Sequence, residues 1–257
     1  MSVTWSILIL TQARREAKFL GLLGVLLPQA EAAGDVEVVA LRNYGGRLQW
    51  QLAPLRQVLL DGARGRWSSF IDDDDMVTGD YVSRVLTAIA AVPLAEFVAF
   101  RVANYETGVP GGSPVPGKPL TQVVAETPRG GWTPYGRIDR VTLTGLQHGG
   151  WRNEENAYIR DITHINPVLT VHAWAAGFGM PARMFESDQP SEDKGYAGRL
   201  RQLLSGRGQA DIGRVLYHYR HDQADSVQTG AAPRTGRCPA PVIVSPAFRW
   251  HPASELT

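Results

Sequence analysis

The chain is short of cysteine. Cys238 is the single one among 257 residues, which excludes an intramolecular disulfide and a cysteine-rich zinc site and points to a reducing compartment, the cytoplasm. Long apolar runs are also missing. The longest are about six residues, whereas a helical span needs about 20. The run Trp5-Ser6-Ile7-Leu8-Ile9-Leu10 has no basic residue before it and no small-residue cleavage site after it, and is expected to be a buried strand rather than a signal peptide. Charge of one sign is not in excess either. Lys+Arg number 26 and Asp+Glu 25, which excludes a generally polybasic nucleic-acid wrapper. What remains is an ordinary globular composition, 44% hydrophobic, with enough chain for one large domain or two small ones.

The first part of the chain alternates short apolar runs with amphipathic ones. Strands are expected at Ile7–Leu10, Val36–Leu41, Trp67–Ile71 and Phe97–Ala103. Helices are expected at Arg14–Leu27, stopped by Pro28, at Leu52–Leu60, and at Gly79–Ala91 with Thr78 as its cap. Near-continuous apolar strands separated by amphipathic helices imply βαβ units and a sheet covered on both faces. Residues 108–119 hold four glycines and four prolines and read as a loop. Beyond it, Tyr158–Ile165 reads as a strand. Asn166-Pro167 reads as a helix start running to Ala176 before Gly177. A helix after Pro190-Ser191 carries Tyr196, Leu200, Leu203 and Leu204 on its apolar face, and Arg214–Arg220 alternates like a strand. The tail from Thr229 is expected to be irregular. The resulting organisation is a 1–107 half, a 108–119 loop, a 120–228 half and a 229–257 tail.

The most informative feature is Asp72-Asp73-Asp74-Asp75, which follows an apolar strand and precedes a helix. Adjacent carboxylates repel one another unless a cation or an exposed loop relieves them. Open α/β sheets bind ligands at the carboxyl ends of their strands. Oxygen ligands favour Mg²⁺ or Mn²⁺, which commonly bridge carboxylates to substrate phosphates. The bland alternative is a solvated acidic turn capping the next helix.

A strand followed by Thr11-x-x-Arg14-Arg15, a second strand near residue 40, an arginine on the next helix and Phe70-Ile71-Asp72-Asp73-Asp74-Asp75 together resemble the nucleotide-sugar half of GT-A glycosyltransferases of the family 2 type, over roughly residues 5–90. The resemblance implies an α/β, Rossmann-like mixed sheet flanked by helices, a single compact domain of two halves. It also implies a metal-dependent inverting transfer from a nucleotide sugar, a UDP-sugar by the family's habit. Asp72 and Asp74 match the DXD pair that holds Mn²⁺ or Mg²⁺ against the diphosphate. Thr11, Arg15, Arg56 and Asp73 fall among the donor-binding positions. The roles of Asp73 and Asp75 are not separable by sequence. Where the family places an acidic residue to bind uracil, this chain has Leu41-Arg42-Asn43. Either Asn43 reads the base through its amide or the base differs.

The later half is similar to the family's acceptor half, where a Glu-Asp pair supplies the catalytic base. Here that pair is Glu192-Asp193, with Asp193 as base and Glu192 as helper. An inverting displacement requires the attacking hydroxyl to lose its proton. The alternative is that both residues only complement a helix N-terminus. GT-A chains often use a late histidine as a further ligand, and His218 is the candidate here, with His221 beside it.

Residues 129–237 carry 14 Lys+Arg against 11 Asp+Glu, which suits a polyanionic acceptor. Soluble enzymes of this look occur in phages, where they glycosylate hydroxymethylated pyrimidines in DNA. A 5-hydroxymethylpyrimidine is therefore one expected acceptor, with Arg137, Arg140, Arg199 and Arg201 on phosphates. A polysaccharide, glycan, lipid-linked or protein hydroxyl is the other. No membrane partner is expected. A Mg²⁺-dependent nucleotidyltransferase is the competing enzyme class, but it calls for a glycine-rich phosphate loop after the first strand, and Thr11–Arg15 contains no glycine.

Overall fold

The computed structural model describes residues 2–43, 52–106, 131–133, 136–138, 140–143, 162–178, 192–204, 207–221 and 245–251. Within these, β1 (Trp5–Gln12) is followed by a single 3-10 turn and α1 (Glu16–Ala33), β2 (Val36–Asn43), α2 (Leu52–Asp61), β3 (Trp67–Phe70), β4 (Met76–Val77), α3 (Tyr81–Ala91) and β5 (Ala95–Glu106). Then come β6 (Gly131–Thr133), β7 (Gly136–Ile138), β8 (Arg140–Leu143), β9 (Val168–Leu169), α4 (Thr170–Ala176), α5 (Glu192–Leu203), β10 (Gly208–His221) and β11 (Phe248–Trp250).

The expected mixed α/β sheet flanked by helices is present. Its strand order is β11-β2-β1-β3-β9-β5-β10-β4, with β8 on β5, and β6 and β7 form a separate pair. Strands β11, β2, β1 and β3 are mutually parallel, and β5 and β10 run parallel to each other. The short strands β9, β4 and β8 run against their neighbours. In β1, period-2 alternation sends Trp5, Ile7 and Ile9 to one face, packed with α1 and α3 residues such as Phe19, Leu22, Leu26 and Val85. Leu8 goes to the other face, with Leu55, Leu59, Ala173, Tyr196 and Leu200 of α2, α4 and α5. Covering both faces removes water from the sheet and makes its strands nearly continuous in apolar residues.

Several local expectations are corrected. Pro28 does not stop α1, which continues to Ala33 and ends at Gly34 in the left-handed region, φ 77°. Proline removes the hydrogen bond to the carbonyl four residues back. Both Pro28 and Gly24 are exposed, so the freed carbonyl lies on a solvent-facing side of the helix where losing its partner costs least. Thr78 does not cap α3. The Val82 N–H donates instead to Gln29 Oε1 of α1 (3.0 Å), while the Thr78 hydroxyl donates to Asp80 Oδ1 (2.8 Å).

Of the strand expected at Tyr158–Ile165, residues 158–161 lie outside the described residues and Ile162–Ile165 are irregular chain leading into a turn, and α4 begins at Thr170 rather than at Pro167. Asn166 is occupied elsewhere, accepting from the Thr163 N–H (3.0 Å) and donating to the Val98 carbonyl (3.1 Å), and Val168–Leu169 fill the gap between β3 and β5 as β9. Leu203 is exposed rather than on the buried face of α5. The tail contributes β11, paired with β2 from Phe248↔Val38 to Trp250↔Ala40. The 108–119 loop lies outside the described residues.

Candidate active site

Strands β1, β2 and β3 run in register from Trp5↔Val36 and Trp5↔Trp67, so their carboxyl ends open on one edge of the sheet. Asp72–Asp75 form a turn just beyond β3, closed by the Asp75 N–H donating to the Asp72 carbonyl (3.1 Å). Asp73 and Asp75 point inward and are 2% and 1% exposed. The side chains of Asp72 and Asp74 retain 26% and 16% exposure. The turn thus sorts four chemically identical residues into two that hold the loop and two that face out.

Each aspartate has its own partners. Asp73 Oδ1 accepts from Arg15 Nη1 (2.8 Å), and its Oδ2 from the Gln12 N–H at the end of β1 (3.3 Å). Burial raises the Asp73 pKa. Arg15 opposes this, as does the buried Thr11 hydroxyl beside the carboxylate, which makes no hydrogen bond of ordinary geometry. Asp75 accepts from the Tyr217 hydroxyl of β10 (2.7 Å).

Asp72 is held at both oxygens. Arg56 Nη2 of α2 donates to Oδ1 (2.7 Å), and Oδ2 lies 3.2 Å from His164 Nε2. Burial disfavours its charge, but Arg56 first and then His164 more than offset this and hold the carboxyl well below the usual range. Asp74 pairs through Oδ2 with Arg15 Nη2 (3.1 Å). Burial pushes Asp74 up to about 6, with Arg15 opposing and the charges of Asp73 and Asp72 adding.

Arg15 and Arg56 are not exposed helical arginines. Both are buried against the aspartate turn, and Arg56 also lies over the Phe70 ring, 5.3 Å from its centroid. Burial disfavours the Arg15 charge, yet Asp73 and Asp74 hold the guanidinium protonated.

The second half reaches the same edge through aromatic contacts. Phe70 meets Phe178 edge-on (5.1 Å between centroids), and Phe178 stacks on Tyr196 (4.1 Å, 11°). Tyr196 lies three residues beyond Asp193 on α5, one helical turn, so both share a face. Asp193 is half-buried. Tyr219 of β10, partly exposed, is held above the ordinary tyrosine pKa by burial and then by the charges of Asp75, Asp72, Asp74 and Asp193. The acidic turn and the start of α5 therefore lie within electrostatic range of one phenol.

Other candidate residues stand apart or outside the described side chains. Asn43 ends β2 opposite Gln12, and its side chain lies outside the described residues, as do those of Glu192, Arg137, Arg140 and His221. His218 is fully buried in β10 opposite Met76, and burial pushes its imidazole down to about 4. Its neighbour Tyr217 touches the aspartate turn. Arg199 does not extend toward solvent as a phosphate ligand would. Its guanidinium donates to the carbonyls of Ala176 and Gly177 at the end of α4.

Two contributors were not singled out by sequence as site residues, His164 and Tyr217. They lie 92 and 142 residues from their aspartate partners. The signal for Tyr217 was its place in an alternating apolar strand, which fits a core residue equally well.

Among the described residues no group of three or more His, Cys, Asp or Glu side chains is arranged to hold a metal by itself. Mg²⁺ and Mn²⁺ are ordinarily held by one or two carboxylates together with substrate phosphates and water. Asp72 and Asp74 fit that need. Both are partly exposed, and a cation between them would relieve the mutual repulsion of adjacent carboxylates.

No protein-family model matches the chain, and no curated protein sequence does. Among solved structures, the chain is similar to Staphylococcus aureus TarS residues 1–349 in complex with UDP-GlcNAc, at 14% identity and a TM-score of 0.48, over 90% of this chain and 62% of that one. The same fragment in complex with UDP gives 14% identity and a TM-score of 0.48, over 85% and 61%. The chain thus spans about three fifths of the length of these structures.

Proposed function

We propose that the chain is a GT-A type glycosyltransferase of the family 2 kind, moving a sugar from a UDP-sugar to an acceptor hydroxyl with inversion and with Mn²⁺ or Mg²⁺. The observation that carries this reading is the sorting of the aspartate turn. Two outward carboxylates, Asp72 and Asp74, sit at the carboxyl edge of a parallel sheet with the guanidinium groups of Arg56 and Arg15 against them. Such an edge suits a diphosphate, its charge met by arginine and by a carboxylate-bound cation.

A divalent cation on Asp72 and Asp74 would neutralise the departing nucleoside diphosphate. The chain's own residues do the rest. Arg15 and Arg56 orient the carboxylates and remain in reach of phosphate oxygens. Asp193, at the start of α5, accepts the proton of the attacking acceptor hydroxyl. The anomeric carbon then inverts as the bond to the diphosphate breaks. The acceptor is a hydroxyl of a polyanion, a 5-hydroxymethylpyrimidine in DNA, or of a glycan.

The test measures donor hydrolysis and transfer with a panel of nucleotide sugars, with Mn²⁺ or with EDTA. DNA containing 5-hydroxymethylpyrimidines is offered beside a glycan acceptor. Asp74→Asn should abolish turnover and leave the fold intact. Full activity of that variant, or of the wild type in excess EDTA, overturns the DXD assignment. Sugar on the glycan and none on the DNA removes the DNA acceptor alone.

A further inference from the structure

The aspartate turn is pinned from across the sheet by one side chain. The Tyr217 hydroxyl donates to Asp75 Oδ2 (2.7 Å) and accepts from the Asp72 N–H (3.2 Å). Asp72 and Asp75 are the first and last residues of the turn, already joined by the Asp75 N–H to the Asp72 carbonyl (3.1 Å). One phenol therefore closes a ring around both ends of the turn.

The segment just after the turn is held by the same strand, with Tyr217↔Val77 and His218↔Met76 paired and the Thr78 N–H on the Leu216 carbonyl (3.0 Å). Tyr217 is fully buried, so it touches neither solvent nor substrate. Its two hydrogen bonds fix the path on which Asp73 turns inward to Arg15 and Asp72 and Asp74 turn out. Without the hydroxyl, a buried carboxylate and a buried N–H each lose a hydrogen bond, and the turn relaxes to recover it from water or a neighbour.

We propose that Tyr217 is a positioning residue for the cation and the donor diphosphate, presetting the aspartate turn so that Asp72 and Asp74 face outward together. The proposal rests on the glycosyltransferase reading above. Partners that orient a metal's ligands are typically worth about 10- to 100-fold in metal affinity or activity.

The experiment titrates Mn²⁺ with UDP present into wild type, Tyr217→Phe and Asp75→Asn, following free Mn²⁺ by electron paramagnetic resonance. It also measures donor and acceptor KM and the Mn²⁺ half-saturation of turnover. Phenylalanine fills the same space without the hydroxyl. Asparagine keeps the shape of Asp75 without its charge, and it carries the test if Tyr217→Phe does not fold by circular dichroism.

Mn²⁺ affinity is expected to fall about 10- to 100-fold in either variant, with donor KM raised and acceptor KM unchanged. The variants share the Tyr217–Asp75 interaction, so their losses should be less than additive in the double variant. Wild-type Mn²⁺ affinity in a folded single variant overturns the proposal and leaves the glycosyltransferase reading standing. Equal loss in donor and acceptor KM reduces Tyr217 to general support of the fold and overturns it too. A wild type that takes up no Mn²⁺ with UDP overturns the metal-dependent UDP-sugar reading on which the proposal rests, and the proposal with it.

Discussion

At the scale of single residues, adjacency and orientation carry different information. Four consecutive aspartates after a strand marked this edge as a site, because that much like charge needs a reason. Which of them face out was not legible, since it depends on Arg15, Arg56, His164 and Tyr217, all four of which come from other parts of the fold. The Glu192-Asp193 pair was legible as a helix start with a chemical alternative, and α5 does begin at Glu192. Asp193→Asn keeps a residue suited to the first helical turn, so stability should change by about 1 kcal/mol or less. Transfer should fall by roughly 10²–10⁴, with UDP binding unchanged by calorimetry. A variant that transfers sugar normally would take Asp193 out of the chemistry.

Elements were read more reliably than their ends. The amphipathic pattern located α1, α2, α3 and α5 because burial of one face is written in every third or fourth residue. Pro28 misled because the rule against internal proline assumes a carbonyl with no other partner, and here the freed carbonyl is on an exposed turn. Pro28→Ala should restore that hydrogen bond and raise stability by about 2 kcal/mol after the lost rigidity of the unfolded chain is counted. Urea unfolding would show this as a higher midpoint at constant slope.

Strand β11 was missed because three residues in a tail rich in proline and alanine give no period to read. It is anchored by chemistry that only the fold reveals. Glu37 of β2, buried, accepts from the Ser6 hydroxyl of β1 (2.6 Å), from Arg64 through its N–H (2.9 Å) and guanidinium, and from Arg249 of β11 (3.4 Å). Burial raises the Glu37 pKa, and the Ser6 and Arg64 hydrogen bonds, with Arg249, more than offset it, so the folded value lies below the unfolded one. The stability this group contributes is therefore present above the ordinary glutamate pKa of about 4.3 and is lost as pH falls through the folded value. Glu37→Gln should cost about 1 kcal/mol at pH 7, because the glutamine keeps an acceptor for Ser6 and the Arg64 and Arg249 guanidinium groups are partly exposed. It should also flatten the acid limb of stability between about pH 5 and pH 2, measured by thermal melts across that range.

For the whole molecule, the alternation of apolar runs and helices gave a sheet covered on both faces. It could not give the strand order, in which β10 lies between β5 and β4 and so joins late sequence to early sequence in one sheet. No helix among the described residues is long and apolar enough to cross a membrane. A ligand that binds only the folded state raises its stability by about 2.7 kcal/mol at 100 times its Kd. UDP with Mn²⁺ at that level should raise the melting temperature by roughly 5–10 °C for a chain of this size. UDP with EDTA should give a clearly smaller shift. Equal shifts with and without the cation would count against a shared site.

Strand β10 also sets an order in time. Asp75 and Tyr217 are 142 residues apart, and at about 5–20 residues per second the ribosome makes the second roughly 7–30 s after the first. Throughout that interval the nascent chain carries four adjacent carboxylates with Arg15 and Arg56 available to them but no tyrosine to close the turn. A chain whose synthesis stops before residue 217 would thus carry the four aspartates without the clasp that orders them, and on the function proposed above premature termination should yield a product unable to capture a nucleotide sugar even where the early strands have already paired.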